Sequence, residues 1–297
     1  MENLNNYFMK PTLMGNGILI NPIKILDYNK FKILADKYIL LDIKDINNQR
    51  RQEKLPKLEE DNLFDYIVKL IESFIESKNI VQEIEKIKDI IKKNGVNPIS
   101  DDKVAMEIFK NEGYFISLSK EDHKNNIETL IHMSIGDDIK YNYNTKSFDI
   151  IKNEKKIGVI DRENFYEYRN IVMEQNLLFT PRIAPNKKSQ EIIDKEIKKR
   201  FGDEDSSLES IISLVTIECG IKDISNYTYY RIMADYRTIV KKLNYESCVI
   251  LKANGCKSKS GEIEIPNLQS PLGMNDNPYS NLLKKARETS LDKALQK

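Results

Sequence analysis

Apolar and polar residues follow two different periods along this chain, and the changes of period divide it into elements. The opening is extended. Tyr7 to Leu13 leads into Gly15-Asn16-Gly17, and an Ile-rich stretch follows from Gly17 to Leu26. Asn-Gly between apolar runs predicts a β-hairpin, and Pro11 and Pro22 keep its strands short or at an edge. Asp27 reads as the N-cap of a helix with Phe31, Leu34, Ala35, Tyr38 and Ile39 on one face. Asn47 to Glu60 is charged, contains Pro56 and reads as a loop. Asp61 opens a helix with Leu63, Phe64, Ile67, Val68, Ile71, Phe74 and Ile75 in phase. Another runs through Ile80, Ile84, Ile87 and Ile91 and stops at Lys93-Asn94-Gly95, as a Gly C-cap does. Ser100-Asp101-Asp102 starts a short helix through Val104, Ile108 and Phe109, which Gly113 ends.

The period then shortens. Asp138 to Tyr143, Lys146 to Ile151 and Lys156 to Ile160 alternate as strands, separated by Asn144-Thr145 and Asn153-Glu154, which predicts a small meander. Asp161 caps a helix burying Phe165, Tyr168, Ile171 and Val172. Thr180 to Lys188 holds two prolines and reads as a linker. A charged helix follows from Ser189 to Phe201. Gly202 to Ser207 is an acidic turn, and Ser207 caps a helix that is apolar nearly all round (Leu208, Ile211, Ile212, Val215, Cys219) and is closed by Gly220. A further helix starts near Ser225 to Thr228 and carries Tyr230, Met233, Tyr236, Ile239 and Val240. A separate one covers Tyr245 to Ala253, with Gly255 as its stop. Beyond Lys257, Gly261, Pro266, Pro271, Gly273 and Pro278 break the chain, which predicts a tail that is mobile in isolation, with an exposed helix from Asn281 to Leu295. The expected fold class is α+β, mostly helical, with an N-terminal β-hairpin, a small antiparallel β-meander in the middle and a C-terminal helical bundle. The expected domains are residues 1–179, a linker at 180–188, a helical domain at 189–256 and a tail at 257–297.

Composition narrows the function classes. The 47 Lys and Arg nearly balance the 46 Asp and Glu, so no global field draws the chain to nucleic acid or anionic membrane. No apolar run approaches the ~18 residues of a membrane span, and the first ten residues lack the basic and apolar regions of a signal peptide. Cys219, Cys248 and Cys256 are odd in number and widely spaced. They make neither a disulfide framework nor a metal clip, and the expectation is reduced structural thiols in a cytoplasm.

No constellation of catalytic residues emerges. His123 and His132 stand nine apart near Glu121, Asp122 and Glu128, which does not match the one-turn spacing of a helical zinc pair. Gly15-Asn16-Gly17 lacks the Lys and Ser/Thr of a phosphate loop. Asp101-Asp102 and Asp137-Asp138 sit where caps and turns need short polar side chains. Ser213 and Ser247 lie in apolar phase without a nucleophile elbow. The chain is therefore expected to be no enzyme, with no catalytic, cofactor-binding or metal-binding residues and no cofactor. Ser213 to Val240, with Arg231 and Arg237, has the outline of a DNA-reading helix-turn-helix. Its apolar first helix and the scarcity of cations on its second favour a packed helical hairpin instead.

Two sets of segments carry a resemblance. One is Tyr7-Phe8-Met9-Lys10-Pro11 through Asn21-Pro22-Ile23-Lys24-Ile25-Leu26-Asp27-Tyr28. The other is Ile171-Val172-Met173-Glu174-Gln175-Asn176, Ser207-Leu208-Glu209, Asp223-Ile224-Ser225-Asn226-Tyr227-Thr228-Tyr229-Tyr230, Leu243-Asn244-Tyr245-Glu246 and Leu251-Lys252-Ala253-Asn254-Gly255. Together they resemble phage and prophage proteins of low-GC Gram-positive hosts that are similar to tail-assembly chaperones or baseplate accessory proteins encoded near the tape-measure gene. Lys257 to Pro271 shows no match. The resemblance transfers no active residue. It implies binding to phage tail proteins (tape measure, hub or baseplate) in the host cytoplasm during assembly, with a permanent place in the virion tail as the rival. A homo-oligomer is left open. The side chains expected to meet a partner are Tyr7, Phe8, Ile18 and Ile20 of the opening and Tyr227, Tyr229, Tyr230 and Arg231 of the late helix, through helix-in-groove or strand-addition contacts.

Overall fold

Asn16-Gly17 makes the turn its sequence demands. Gly17 has φ 85°, Gly17 N–H donates to Met14 O at 2.9 Å, and Met14 N–H donates to Ile18 O at 2.8 Å. A computed structural model describes residues 4–73, 122–201, 207–258 and 261–276. In it the hairpin is only two residues deep. Strand β1 (Thr12–Leu13) pairs antiparallel with β2 (Leu19–Ile20), Thr12 opposite Ile20 and Leu13 opposite Leu19. Tyr7 is not in a strand but closes one helical turn, α1 (Leu4–Tyr7).

Helix α2 (Ile25–Tyr38) begins ahead of Asp27, which falls in its first turn where a carboxylate suits the helix dipole. Lys24 is the N-cap and gives no side-chain bond; one of the freed donors, Ile25 N–H, reaches Tyr227 O at 2.8 Å instead. A tertiary contact thus replaces the local cap. Phe31, Ala35, Tyr38 and Ile39 are buried as expected. The loop expected from Asn47 to Glu60 begins only after Gln52, because its first residues complete a helix, α3 (Ile43–Gln52), capped by Asp42. Ile43 is its only buried residue. It docks through amides, with Asn48 Nδ2 on Ile183 O at 2.8 Å, so no apolar period announced it. Residues 63–73 form α4, capped by Asn62, whose Oδ1 accepts from Phe64 N–H at 2.7 Å, rather than by Asp61. Leu63, Phe64, Ile67, Val68 and Ile71 are buried. Phe74, Ile75 and the two helices expected up to Gly113 lie outside the described residues.

Helix α5 (His123–Ile135) has no counterpart among the expected elements. Asp122 caps it, Gly136 closes it at φ 88°, and it buries Ile127, Leu130, Ile131 and Ile135. It feeds the meander β3 (Asp138–Asn142), β4 (Ser147–Lys152), β5 (Lys155–Ile160), antiparallel in that order, with a register shift at Ile150/Ile151. Asn153 and Glu154 turn β4 into β5 with φ 48° and 63°, the paired left-handed residues of a tight hairpin. Helix α6 (Phe165–Gln175) starts after an exchange in which Asp161 N–H donates to Asn164 Oδ1 and Asn164 N–H to Asp161 Oδ1.

Then come α7 (Lys187–Phe201), α8 (Leu208–Cys219) and α9 (Tyr229–Ala253). Ser207 and Gly220 bound α8 as expected, and Thr228 caps α9. Two expectations fail here. The helices expected at Tyr230–Val240 and Tyr245–Ala253 are one helix, because Lys241-Lys242-Leu243-Asn244 contains no residue that breaks it. Helix α8 is not buried all round: only Ile211 and Val215 are buried, and Ile217 is 75% exposed.

The fold is thus α+β and mostly helical, with small antiparallel sheets. One core holds Ile23, Tyr28, Phe148 and Tyr168 together with Ile211, Val215 and Ile232, so the segment at 180–188 does not separate two cores. It is itself docked, with Ala184 buried beside Ile193. The tail also folds back. After a small hairpin of β6 (Lys257–Ser258) and β7 (Gly261–Glu262), Met274 is buried against Tyr230 and Ala234, and Arg237 Nη1 donates to Leu272 O at 3.1 Å and Gly273 O at 2.8 Å.

Candidate protein-binding surface

Segments far apart in sequence converge at the start of α2. The Tyr28 ring stacks on Tyr229, centroids 4.1 Å apart and planes inclined by 11°. Lys24 bridges to Thr228 in antiparallel fashion, and Lys24 Nζ reaches Asn226 Oδ1 at 3.0 Å. From the end of α6, Asn176 Oδ1 accepts from Ile23 N–H at 3.2 Å, and Gln175 Nε2 donates to Ile20 O at 3.0 Å. Polar side chains thus close backbone groups left open by the short hairpin. Burial raises the Tyr28 and Tyr229 pKa values.

A second knot ties α1 to α9. The Arg231 guanidinium lies 4.0 Å above the Tyr7 ring and 5.8 Å from that of Tyr227, and its Nε pairs with Asp235 Oδ2 at 2.8 Å. Burial works against the Arg231 charge, but the hydrogen bond and charge of Asp235 outweigh it and the net shift is upward. Burial also pushes the Tyr7 hydroxyl up, with the Asp235 charge adding to it.

Sequence reasoning placed eight residues at a partner surface. Ile18, Ile20 and Tyr230 are buried within the chain and present no surface. Strand alternation sends Ile20 inward. Tyr7, Tyr227, Tyr229 and Arg231 are half-buried and occupied with one another, with Tyr28 or with Asp235. Phe8, 55% exposed, faces solvent. Exposed apolar side chains outside that set include Leu4, one helical turn before Phe8, the cross-strand pair Leu13 and Leu19, Leu26 and Ile33 on α2, Ile217 on α8, and Val240, Leu243 and Ile250 on α9. The hairpin period marks the first pair once Ile20 is known to point inward. A spacing of three and four residues marks the last group.

Chemistry elsewhere has structural partners. His123 is buried with Nδ1 2.9 Å from Tyr38 Oη, and His132 Nδ1 lies 2.8 Å from Asp137 O. Arg231 and Arg237, the cations a DNA-reading helix would need, are engaged by Asp235 and by the tail carbonyls. Burial, with Asp235 adding, pushes the Cys219 thiol up, the reverse of an activated cysteine. Ser247 Oγ donates to Leu243 O. An open cleft of about 670 Å³ between α4 and the meander holds three ion pairs within the chain, Arg162 with Asp65, Lys146 with Glu72 and Lys69 with Glu60, and is also lined by Asp161 and Glu163. Among the described residues no group of three His, Cys, Asp or Glu is placed to hold a metal ion, and no helix is long and apolar enough to cross a membrane. Comparison with protein-family models, with curated proteins and with solved structures finds no match.

Proposed function

We propose that this chain is a phage tail-assembly protein that acts by binding other tail proteins, as a chaperone for the tape-measure or hub protein. The observation that carries the reading is where the resembling segments lie. Asn21 to Tyr28, Gln175-Asn176 and Asn226 to Tyr230 meet one another through the Tyr28–Tyr229 stack, the Lys24–Thr228 bridge and the Asn176 bond to Ile23. Three of the stretches that carry the resemblance thus meet in one part of the fold, while Leu243–Glu246 and Leu251–Gly255 lie on the exposed later turns of α9 and beyond them. Beside that meeting point, Leu4, Phe8, Leu13 and Leu19 are exposed, apolar surface of the kind that protein contacts cover.

Co-expression with whatever tape-measure, hub or baseplate proteins its genome encodes, followed by affinity capture, tests the reading. A complex that weakens on Phe8→Asp or Leu19→Asp is expected, and capture of none of these proteins would sink the idea. Mass spectrometry of purified virions then separates an assembly chaperone, absent from particles, from a permanent tail component.

A further inference from the structure

The sequence holds three Asn-Gly pairs, of which Asn16-Gly17 and Asn254-Gly255 lie among the described residues. Asparagine is a thermolabile residue, and a glycine after it lacks the Cβ that would hinder attack by its own backbone nitrogen. Both asparagines are exposed, both glycines have positive φ (85° and 73°), and the space around both glycines is open. Each glycine nitrogen also donates to a carbonyl three residues back, Gly17 to Met14 O at 2.9 Å and Gly255 to Lys252 O at 3.0 Å. Reaction at either pair therefore requires its turn to open. Exposure and local bonding do not separate the two sites, but tertiary anchoring does.

The hairpin turn is tied to two other elements. Asn16 Nδ2 donates to Val159 O of β5 at 3.3 Å, and Gly15 N–H donates to Glu167 Oε1 of α6 at 2.8 Å. Met14 and Ile18 are buried, and Ile18 lies over Gly158, where a Cβ would come within 3.0 Å of Ile18 Cγ1. Opening this turn uncovers apolar surface and detaches it from the meander. Asn254 closes α9 without any such anchor. Its N–H and its Nδ2 both donate to Ile250 O at 3.0 Å, and Cys256 N–H donates to Leu251 O at 3.0 Å. With the Gly255 bond these form the helix-ending motif built on a left-handed glycine. All of these bonds return to the last turn of the same helix, and residues 249–258 are all exposed. A helix end held only by itself opens at small cost.

We propose that Asn254 is a site of spontaneous covalent modification, converting to aspartate and isoaspartate in the folded chain, while the hairpin protects Asn16. Gly255 N attacks Asn254 Cγ. The new N–Cγ bond closes a succinimide ring, the Cγ–Nδ2 bond breaks, and Nδ2 leaves as ammonia with the proton from Gly255 N. Solvent water then adds to one of the two ring carbonyls. One addition gives aspartate, and the other gives isoaspartate, with the backbone rerouted through the side chain. No oxidant or reductant is involved. Either product places a carboxylate at the negative end of α9 and removes the amide donor from Ile250 O. It also lowers the formal net charge of the chain from +1 to zero. The last turn of α9 loosens, and with it the junction to the β6–β7 hairpin.

Incubation of the full chain at mildly alkaline pH tests this without any tail protein, so its outcome is separate from that of the tail-assembly reading. Peptide mapping follows the gain of about 1 Da at each asparagine, and isoaspartate-specific methylation follows the rerouted product. Conversion of Asn254 should be at least about tenfold faster than that of Asn16. In concentrated urea the two rates should converge, because the reacting pair is the same. Asn254→Gln should silence that position. Ile18→Val, which trims the anchor of the hairpin without removing it, should speed Asn16 about two- to tenfold and leave Asn254 unchanged; an unaltered circular dichroism spectrum identifies it as folded. A folded chain in which Asn16 converts as fast as Asn254 overturns the proposal, as does one in which Asn254 stays unmodified.

Discussion

The rings of Tyr28 and Tyr229 lie 4.1 Å apart and nearly parallel, so α2 and α9 are one packing unit. Truncating either ring removes the stack and opens the main core beside it. Tyr229→Ala should cost about 2–3 kcal/mol, near the low end for a large aromatic because the ring is half-buried. A double-mutant cycle with Tyr28→Ala should give a coupling of about 0.5–1.5 kcal/mol. Urea unfolding followed by fluorescence and by circular dichroism should show a single coincident transition. Two separated transitions, split near residues 180–188, would mean that the shared core does not couple the two ends.

Alkali should find the tyrosines. Burial raises the pKa of Tyr28 and Tyr168, and burial together with the Glu72 charge pushes Tyr141 up to about 12. The folded chain therefore keeps these protons to higher pH than the unfolded chain, whose tyrosines titrate near pH ~10. Their contribution to stability is fully present below pH ~10 and is lost as pH rises through the folded values. The part of the phenolate absorbance at 295 nm that belongs to these buried rings should rise together with loss of circular dichroism, above pH ~10. Among the described residues the buried Tyr141 Oη has no hydrogen-bond partner, so Tyr141→Phe should be neutral or stabilising by up to about 1 kcal/mol and should flatten the alkaline limb.

The tail from Lys257 is part of the fold as far as residue 276, and it differs from a mobile segment in a measurable way. Met274 fills a site against Tyr230 and Ala234, and Lys241 Nζ donates to Leu268 O at 2.9 Å. Ending the chain after Asn267 would uncover that site and free Arg237. The melting temperature should fall by several degrees, on the order of 2–4 °C per kcal/mol lost in a chain of this size. Met274→Ala alone should cost about 2 kcal/mol. A truncated chain with an unchanged melting temperature would show that these contacts hold nothing.

What the sequence made legible follows from which forces are local. The meander, α2, α4, α6 and the capped end of α8 were readable because their periods, Ser207, Gly220 and Asn-Gly act over a few residues. Helix α3 escaped because hydrogen bonds from Asn48 and Gln52 to residues 183 and 184, and not an apolar face, hold it in place. Helix α5 was legible and missed: Asp122, the Ile127-Ile131-Ile135 spacing and Gly136 are complete signals. The candidate surface fared worst. Aromatic residues and Arg231 resemble binding residues in a sequence, and only tertiary geometry reveals that Tyr7, Asp235 and Tyr28 already occupy them. Exposed side chains such as Leu13 and Leu243 become conspicuous only when the core is known.

Arg169 supplies the most severe test of how α2, α6 and the segment after α6 are joined. Its guanidinium is buried, with Nε on Ile39 O at 2.6 Å and Nη2 on Leu40 O at 3.2 Å and Thr180 Oγ1 at 3.3 Å. Ile39 and Leu40 follow directly on α2, where backbone carbonyls have lost their helical partners. Burial lowers the Arg169 pKa, opposed chiefly by the charge of Asp42. The group stays charged at neutral pH because guanidinium begins from so high a value. Arg169→Ala would strand three acceptors in the interior and cost about 3–5 kcal/mol. Arg169→Lys should recover only a part, since one ammonium cannot meet two carbonyls and a hydroxyl with the spread of a planar fork. Arg169→Met keeps the volume and removes the charge, so it should fall between Lys and Ala. Denaturant unfolding of the three variants gives the order directly, and an Arg169→Ala cost below about 0.5 kcal/mol would show that water satisfies these carbonyls as well as the guanidinium does.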